Sequence, residues 1–266
     1  MTHLLPLAAC CLVVSCARLP DTSGRPQSQA IRENSATELG RAVRPITPAD
    51  SRESAFHPLG KGDQAFAARM GLAAGAERSL DVQYYIWHAD VTGKKLIGGL
   101  LAAADRGVRV RVLIDDLGTS AKDENLLALD SHPGIEVRLF NPIMTRSARL
   151  LGTVFDFGRV NRRMHNKAFI ADNQVAIVGG RNIGDEYFDA HSEVNFADFD
   201  VAAVGPVVRE VSRSFDEYWN SPSSIDITSL TKRRSTPEEL AALRASLAGT
   251  GREGDAFATK LRRGGI

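Results

Sequence analysis

Beyond residue 16 the chain contains no cysteine: all three, Cys10, Cys11 and Cys16, lie within the first sixteen of its 266 residues. The remainder can form no disulfide and supply no thiolate nucleophile or zinc ligand. An excess of charge of one sign is missing as well. Thirty-three Lys plus Arg against 32 Asp plus Glu leave a net charge of +1, so no global field points to nucleic acid or to an acidic substrate. Any basic site must be local. Hydrophobic residues at 43% and charged residues at 24% exclude a wholly disordered, collagen-like or polytopic membrane chain. The mostly apolar run from Leu4 to Ser15 holds 12 residues, enough for the core of an export signal and too few to cross a bilayer.

That run ends in Val13-Val14-Ser15-Cys16, which resembles the lipobox of bacterial lipoproteins. Residues 1–15 are therefore read as a lipoprotein signal peptide, with Cys16 as the lipidated residue. The implied location is the bacterial cell envelope, on the periplasmic side, held at a membrane. Residues 16–54 are rich in Ser, Thr, Pro and Arg and show neither helical nor strand periodicity, which predicts a flexible linker.

Order is expected from Ala55. Phe66, Met70 and Ala73 recur at helical spacing, and Leu80, Val82, Tyr84 and Ile86 alternate as in a strand. Leu96, Leu100 and Ala104 mark a second helix, followed by the strand Val108, Val110, Val112 and Ile114 ending in Asp115-Asp116. A short helix at Leu126 to Leu129, closed by Pro133-Gly134, leads to a third strand through Ile135, Val137 and Leu139. Such a series predicts an α/β fold with a mixed, mostly parallel β-sheet flanked by helices. Met164 to Ala171 reads as a strand, Asp172-Asn173 as its turn and Val175 to Val178 as the returning strand. Asp200 to Val204 is another strand, and Pro206 opens a helix with Val207, Val211, Phe215 and Trp219 on one stripe. The expected domain runs from 55 to 222, and 223–266 forms a short C-terminal helical segment with a cap at Thr236.

Within that frame His165, Lys167 and Asp172 form H-x-K-x4-D, and Gly179-Gly180-Arg181-Asn182 follow. On a strand His165 and Lys167 project from one face. An ammonium can neutralise a phosphodiester oxygen while an imidazole, with a reference pKa of about 6.5, retains enough neutral form at pH 7 to attack phosphorus. The glycine pair permits close backbone approach, and Asn182 can donate its amide to the same phosphate. Tyr84 and Trp87 are expected to pack in the core, and Asp115 and Asp116 to cap a helix or face solvent. The arginines between Thr145 and Lys167 are read as a solvated face or as a patch for anionic headgroups.

The pattern resembles the HKD motif of the phospholipase D superfamily, H-x-K-x4-D-x6-G-[GS]-x-N. Residues 79–90, 106–119, 136–142, 161–188 and 203–211 are further similar to its cardiolipin synthase C branch. The resemblance implies a phospholipase D-like half-domain, His165 as a nucleophile forming a phosphohistidine, Lys167 and Asn182 as phosphate ligands, and neither metal nor cofactor. Asp172 belongs to the catalytic motif but is implied to be structural. An acidic residue orienting His165 is also implied, with Asp198 and Asp200 as candidates. The full site in that superfamily uses two HKD halves, whereas only one H-x-K-x4-D occurs here. The expected partners are therefore phospholipids of the phosphatidylglycerol, phosphatidylethanolamine or cardiolipin class, a membrane surface, and either a second copy of the chain or a missing second half. Nucleic acid is not expected. The leading expectation is a phosphatidyltransferase giving cardiolipin. The rivals are a phospholipid or nucleic-acid phosphodiesterase working as a dimer, and an inactive truncated lipoprotein remnant.

Overall fold

The computed structural model describes residues 19–32, 34–47, 52–119, 123–144, 146, 157–191, 193–249 and 251–263. The apolar run, Cys16 and Arg149 lie outside these residues.

Strands β2 (Ser79–Tyr84), β3 (Arg109–Asp115) and β4 (Ile135–Phe140) are joined by helices α3 (Val91–Asp105) and α4 (Asp123–Asp130) and pair in parallel. This is the helix-crossover geometry that the alternating periodicities predict. The other pairings run the opposite way. β5 (Ala168–Ala171) and β6 (Val175–Gly179) form a hairpin, β7 (Asp200–Val204) follows β6, and β1 (Ala55–Leu59) and β8 (Ser224–Asp226) occupy the two edges. The 8-stranded sheet has the order β1-β7-β6-β5-β2-β3-β4-β8, with only β2·β3 and β3·β4 parallel. The expectation of a mostly parallel sheet is corrected to a mixed, mostly antiparallel one. Period-2 patterns carry no strand direction, and the long-range antiparallel pairing of β5 with β2 has no local signal.

Both faces of the sheet are covered. Leu80, Val82 and Tyr84 of β2 and Val110, Val112 and Ile114 of β3 join the core beneath α2 (Gly62–Gly75), α3 and α4. The opposite face packs Leu113, Ala168, Ile170 and Ala176 against Val208, Phe215 and Trp219 of α6 (Pro206–Trp219), the next α-helix after the one-turn α5 (Phe157–Val160). The alternating polar residues of β2 and β3 are therefore buried too. Asp81 accepts from Arg111 Nε at 2.6 Å and from its Nη2 at 2.8 Å. Arg111 also reaches Asp216 at 2.8 Å and lies 4.7 Å from the Phe215 ring centroid.

The segment expected to be a flexible linker is held down over its described part. Ser28 O accepts from Arg111, Ala30 N donates to Asp216, and Arg25 donates to Ser224 O and Trp219 O. The short helix α1 (Glu38–Val43) is capped by Thr37. No apolar periodicity betrays this strap, because its anchors are polar: backbone groups at Ser28 and Ala30 and the side chain of Arg25.

The boundary placed at residue 222 is likewise not a break. After β8 come α7 (Ile227–Thr231), α8 (Pro237–Ala248) and α9 (Gly251–Arg263), and Leu243 and Phe257 are buried in the main core. Thr236 and Glu239 close the capping box at the start of α8. No described helix is long and apolar enough to cross a membrane.

Candidate active site

The chemistry-bearing residues collect at one end of the central strands. Asp172 and Asn173 sit at φ 51° and 49° in the three-residue connection between β5 and β6, the left-handed pair at the centre of a turn closed by Gln174 N donating to Ala171 O, a conformation that Asp and Asn tolerate. That turn lies at the opposite end of β5 from His165. The Asp172 carboxylate accepts from the amides of Glu77, Arg78 and Ser79 at 3.0, 2.7 and 2.9 Å, while Asp172 N donates to Ser79 O. The motif counts Asp172 with its catalytic residues, but the bonds it makes are structural, the role the resemblance implies for it. This carboxylate pins the entrance of β2 to the hairpin and touches none of the reacting groups.

His165 and Lys167 precede the strand rather than lying in it, since ladder pairing begins at Ala168. They nevertheless meet. Lys167 Nζ donates to His165 O at 2.7 Å and stands 3.5 Å from His165 Nδ1. His165 is exposed, whereas Lys167 is only 8% exposed. Burial pulls the Lys167 ammonium below its ordinary value, while Asp198 and, less strongly, Asp200 pull it back up.

The approach to His165 is tied down by residues for which the sequence suggested another role. Asp115, at the end of β3, accepts from Met164 N at 2.9 Å and from Arg163 Nη1 at 2.8 Å. Burial pushes this carboxyl up, and its bonds to Met164 and Arg163 work against that rise. Asn141 Nδ2 donates to the carbonyls of Arg159 and Arg162. Arg146 pairs with Asp116 at 2.7 Å and with Asp123. Three of the arginines before the motif, Arg146, Arg159 and Arg163, are thus internal tethers, Arg159 donating to Asn141 Oδ1 and Pro142 O.

Asn182 is buried. Its Oδ1 accepts from Ile86 N at 3.0 Å and its Nδ2 donates to the Tyr187 hydroxyl at 3.1 Å. A backbone donor fixes which end of the amide is oxygen, so one Nδ2 hydrogen remains to offer to a ligand. The glycine pair serves a purpose other than the one expected. A Cβ on Gly179 would meet Asp200 Oδ1 at 2.2 Å, and one on Gly180 would meet Asp198 Oδ1 at 1.9 Å. It is these carboxylates that approach the bare backbone.

Neither candidate carboxylate holds the imidazole. Asp200 is fully buried between Arg69 at 2.8 Å and Arg181 at 3.6 Å and accepts from Arg181 N. Asp198 accepts from Phe199 N. Among the described residues the ring of His165 meets Lys167 and the ring of Tyr85, whose centroid is 4.6 Å away. Tyr85 and Tyr187 are the site residues that the sequence reading missed. Tyr84 and Trp87 are core residues as expected, their rings 5.7 Å apart.

A cavity of about 920 Å³ lies beside the site, lined by His88, Asp90, Glu186 and Phe257 among others, and by none of His165, Lys167 or Asn182. Ligand atoms of His88, Asp90 and Glu186 fall within 4.8 Å of one another. Asp90 is already engaged, capping α3 through Gly93 N and accepting from Asp185 N, so this cluster is accounted for by local structure.

The sheet covered on both faces, with an H-x-K pair at one end of its central strands, defines a phospholipase D-like half-domain. A family model described as cardiolipin synthase, PLD-like domain, matches residues 71–219, and the chain belongs to that family. It is 55% identical over 181 residues to cardiolipin synthase C of Escherichia coli, covering 68% of this chain and 38% of that protein. It is 34% identical to cardiolipin synthase 1 of Bacillus anthracis, covering 62% of this chain and 31% of the relative. The chain thus spans less than half the length of these curated relatives. A phosphatidylserine synthase structure from Haemophilus influenzae shares the fold with a TM-score of 0.52 at 17% identity, over 73% of this chain and 43% of that one.

Proposed function

We propose that this chain supplies one half of a phosphatidyl-transfer site. The observation that carries the reading is the exposed imidazole of His165 with the Lys167 ammonium 3.5 Å away. Lys167 and the free Nδ2 hydrogen of Asn182 bind the non-bridging oxygens of a phospholipid phosphodiester. The lone pair of a His165 ring nitrogen attacks phosphorus, the P–N bond forms, and the P–O bond to the departing alcohol breaks. A second acid protonates that oxygen, because the attacking imidazole cannot also deliver a proton there. The hydroxyl of a second phospholipid then attacks phosphorus while the conjugate base of that acid takes its proton; the P–N bond breaks, its electron pair returns to the His165 nitrogen, and a cardiolipin-type product forms. The acid comes from a second HKD unit, carried by another copy of the chain or by a further segment.

The test is single-turnover labelling with a phosphatidylglycerol whose phosphate is radioactive, using the chain together with its HKD partner. An acid-labile, base-stable label is expected on the wild type and none on His165→Ala, with turnover down by more than about 10³-fold. A label that survives in His165→Ala would remove His165 as nucleophile. Accumulation of phosphatidic acid in place of cardiolipin would assign hydrolysis rather than transfer.

We also propose that Cys16 carries a lipid that holds the domain at the envelope membrane. Metabolic labelling with a fatty acid is expected to mark the wild type and not Cys16→Ser, and labelling that persists in the variant contradicts the anchor.

A further inference from the structure

The imidazole of a surface-exposed nucleophile must be kept from rotating, and the expected carboxylate does not do this here. We infer that Tyr85 is the positioning residue of the site, holding His165 and Lys167 in register against one aromatic ring; the inference deepens the proposed phosphoryl-transfer role. Tyr85 directly follows β2, so its side chain turns away from that of Tyr84, which is buried against Arg69. Its ring centroid is 4.6 Å from that of His165 at an interplanar angle of 45°. The Lys167 ammonium stands 5.7 Å from the same centroid, within the range over which a cation is drawn to an aromatic ring.

The backbone around Tyr85 is anchored on two sides. Ile86 N donates to Asn182 Oδ1, and Ile86 O accepts from Ile183 N. Gly118 passes so close that a Cβ there would sit 2.1 Å from Tyr85 O. The ring is therefore carried by a rigid segment that also holds Asn182. The Tyr187 hydroxyl accepts from Asn182, and burial above all, with Tyr85 among the lesser causes, pushes it above its ordinary value. One side chain thus faces both the proposed nucleophile and the proposed phosphate-binding ammonium. A ring of fixed orientation limits imidazole rotamers, and a displacement of about 1 Å at a reacting atom costs up to about 10²-fold in rate.

Two readouts on the full chain test this. In the first, NMR of the imidazole CH protons of His165, assigned with His165→Ala, should show the ring-current displacement expected from a neighbouring aromatic face. That displacement should persist in Tyr85→Phe and vanish in Tyr85→Leu and Tyr85→Met, two apolar replacements chosen so that one folded variant suffices. In the second, single-turnover phosphohistidine formation should stay within about threefold of wild type in Tyr85→Phe. It should fall by roughly 10- to 100-fold in the folded aliphatic variants, with the loss in kcat rather than KM. An unchanged His165 spectrum or an unchanged rate in Tyr85→Leu or Tyr85→Met overturns the inference. If the wild type forms no phosphohistidine at all, the transfer reading fails, and the spectrum alone then decides whether Tyr85 positions the ring.

Discussion

Arg69→Ala is expected to destabilise the domain by about 3–5 kcal/mol, the cost of leaving one member of a buried ion pair without its partner. Arg69 is 1% exposed and Asp200 is fully buried, with Nη2 to Oδ2 at 2.8 Å. The guanidinium also donates to the Tyr84 hydroxyl and to Ala65 O, each at 2.8 Å. Burial works against its charge, and Tyr84 and Asp200 more than restore it, so Arg69 is held above its ordinary value. Truncation leaves Asp200 with Arg181 as its remaining basic partner, at 3.6 Å. Since a domain's whole stability is about 5–15 kcal/mol, the variant is expected to melt about 10 °C or more below wild type by circular dichroism. Arg69→Met combined with Asp200→Asn should recover part of that loss, because no buried carboxylate is left without its nearest guanidinium and Arg181 keeps its three carbonyl acceptors. A single-variant cost below about 1 kcal/mol would contradict this account of the pair.

The second large effect concerns the acidic member of the motif. Asp172→Ala removes the acceptor of three backbone amides and leaves alanine at φ 51°. At about 1 kcal/mol per hydrogen bond the loss is about 3 kcal/mol, with about 1 kcal/mol more for a left-handed conformation that alanine disfavours. Asp172→Asn, which keeps one acceptor oxygen and tolerates the turn, should lose about half as much. Phosphohistidine formation at low temperature, where the variant remains folded, should match wild type per folded molecule. An Asp172→Ala protein of normal melting temperature that fails to form the phosphohistidine would return this residue to the chemistry.

These two carboxylates also show what a sequence exposes and what it conceals. H-x-K-x4-D and the glycine pair are visible as letters, and the structure does bring His165 and Lys167 together. The division of labour is not visible. Asp172 faces away from His165 because the β5–β6 turn lies at the far end of its strand, a consequence of spacing along β5 that a motif does not display. Asp198 and Asp200 look like orienting acids by position, yet they fill the space left by Gly179 and Gly180. Alternation alone would put Asp81 and Arg111 on a solvent face of the sheet. They are buried because α6, far along the chain, covers that face. Tyr85 was overlooked for a related reason: beside Tyr84 and Trp87 it is one aromatic among three, and only the pairing of β2 with β5 brings it against His165. The helices α3 and α6 and the cap at Thr236 were legible because their signals are local.

The strap formed by the N-terminal segment changes what a lipid on Cys16 could do. Leu19 already packs against the main core, and Arg25, Ser28 and Ala30 are bonded to α6, to β3 or to β8. Between Cys16 and Leu19 the chain can reach only about 10 Å when fully extended. A linker free over 16–54 would have let the domain roam tens of ångströms from its anchor. With the strap in place, lipidation would instead work as a short leash, fixing which side of the body faces the bilayer and keeping His165 at a set height above the headgroups whose phosphates it would attack.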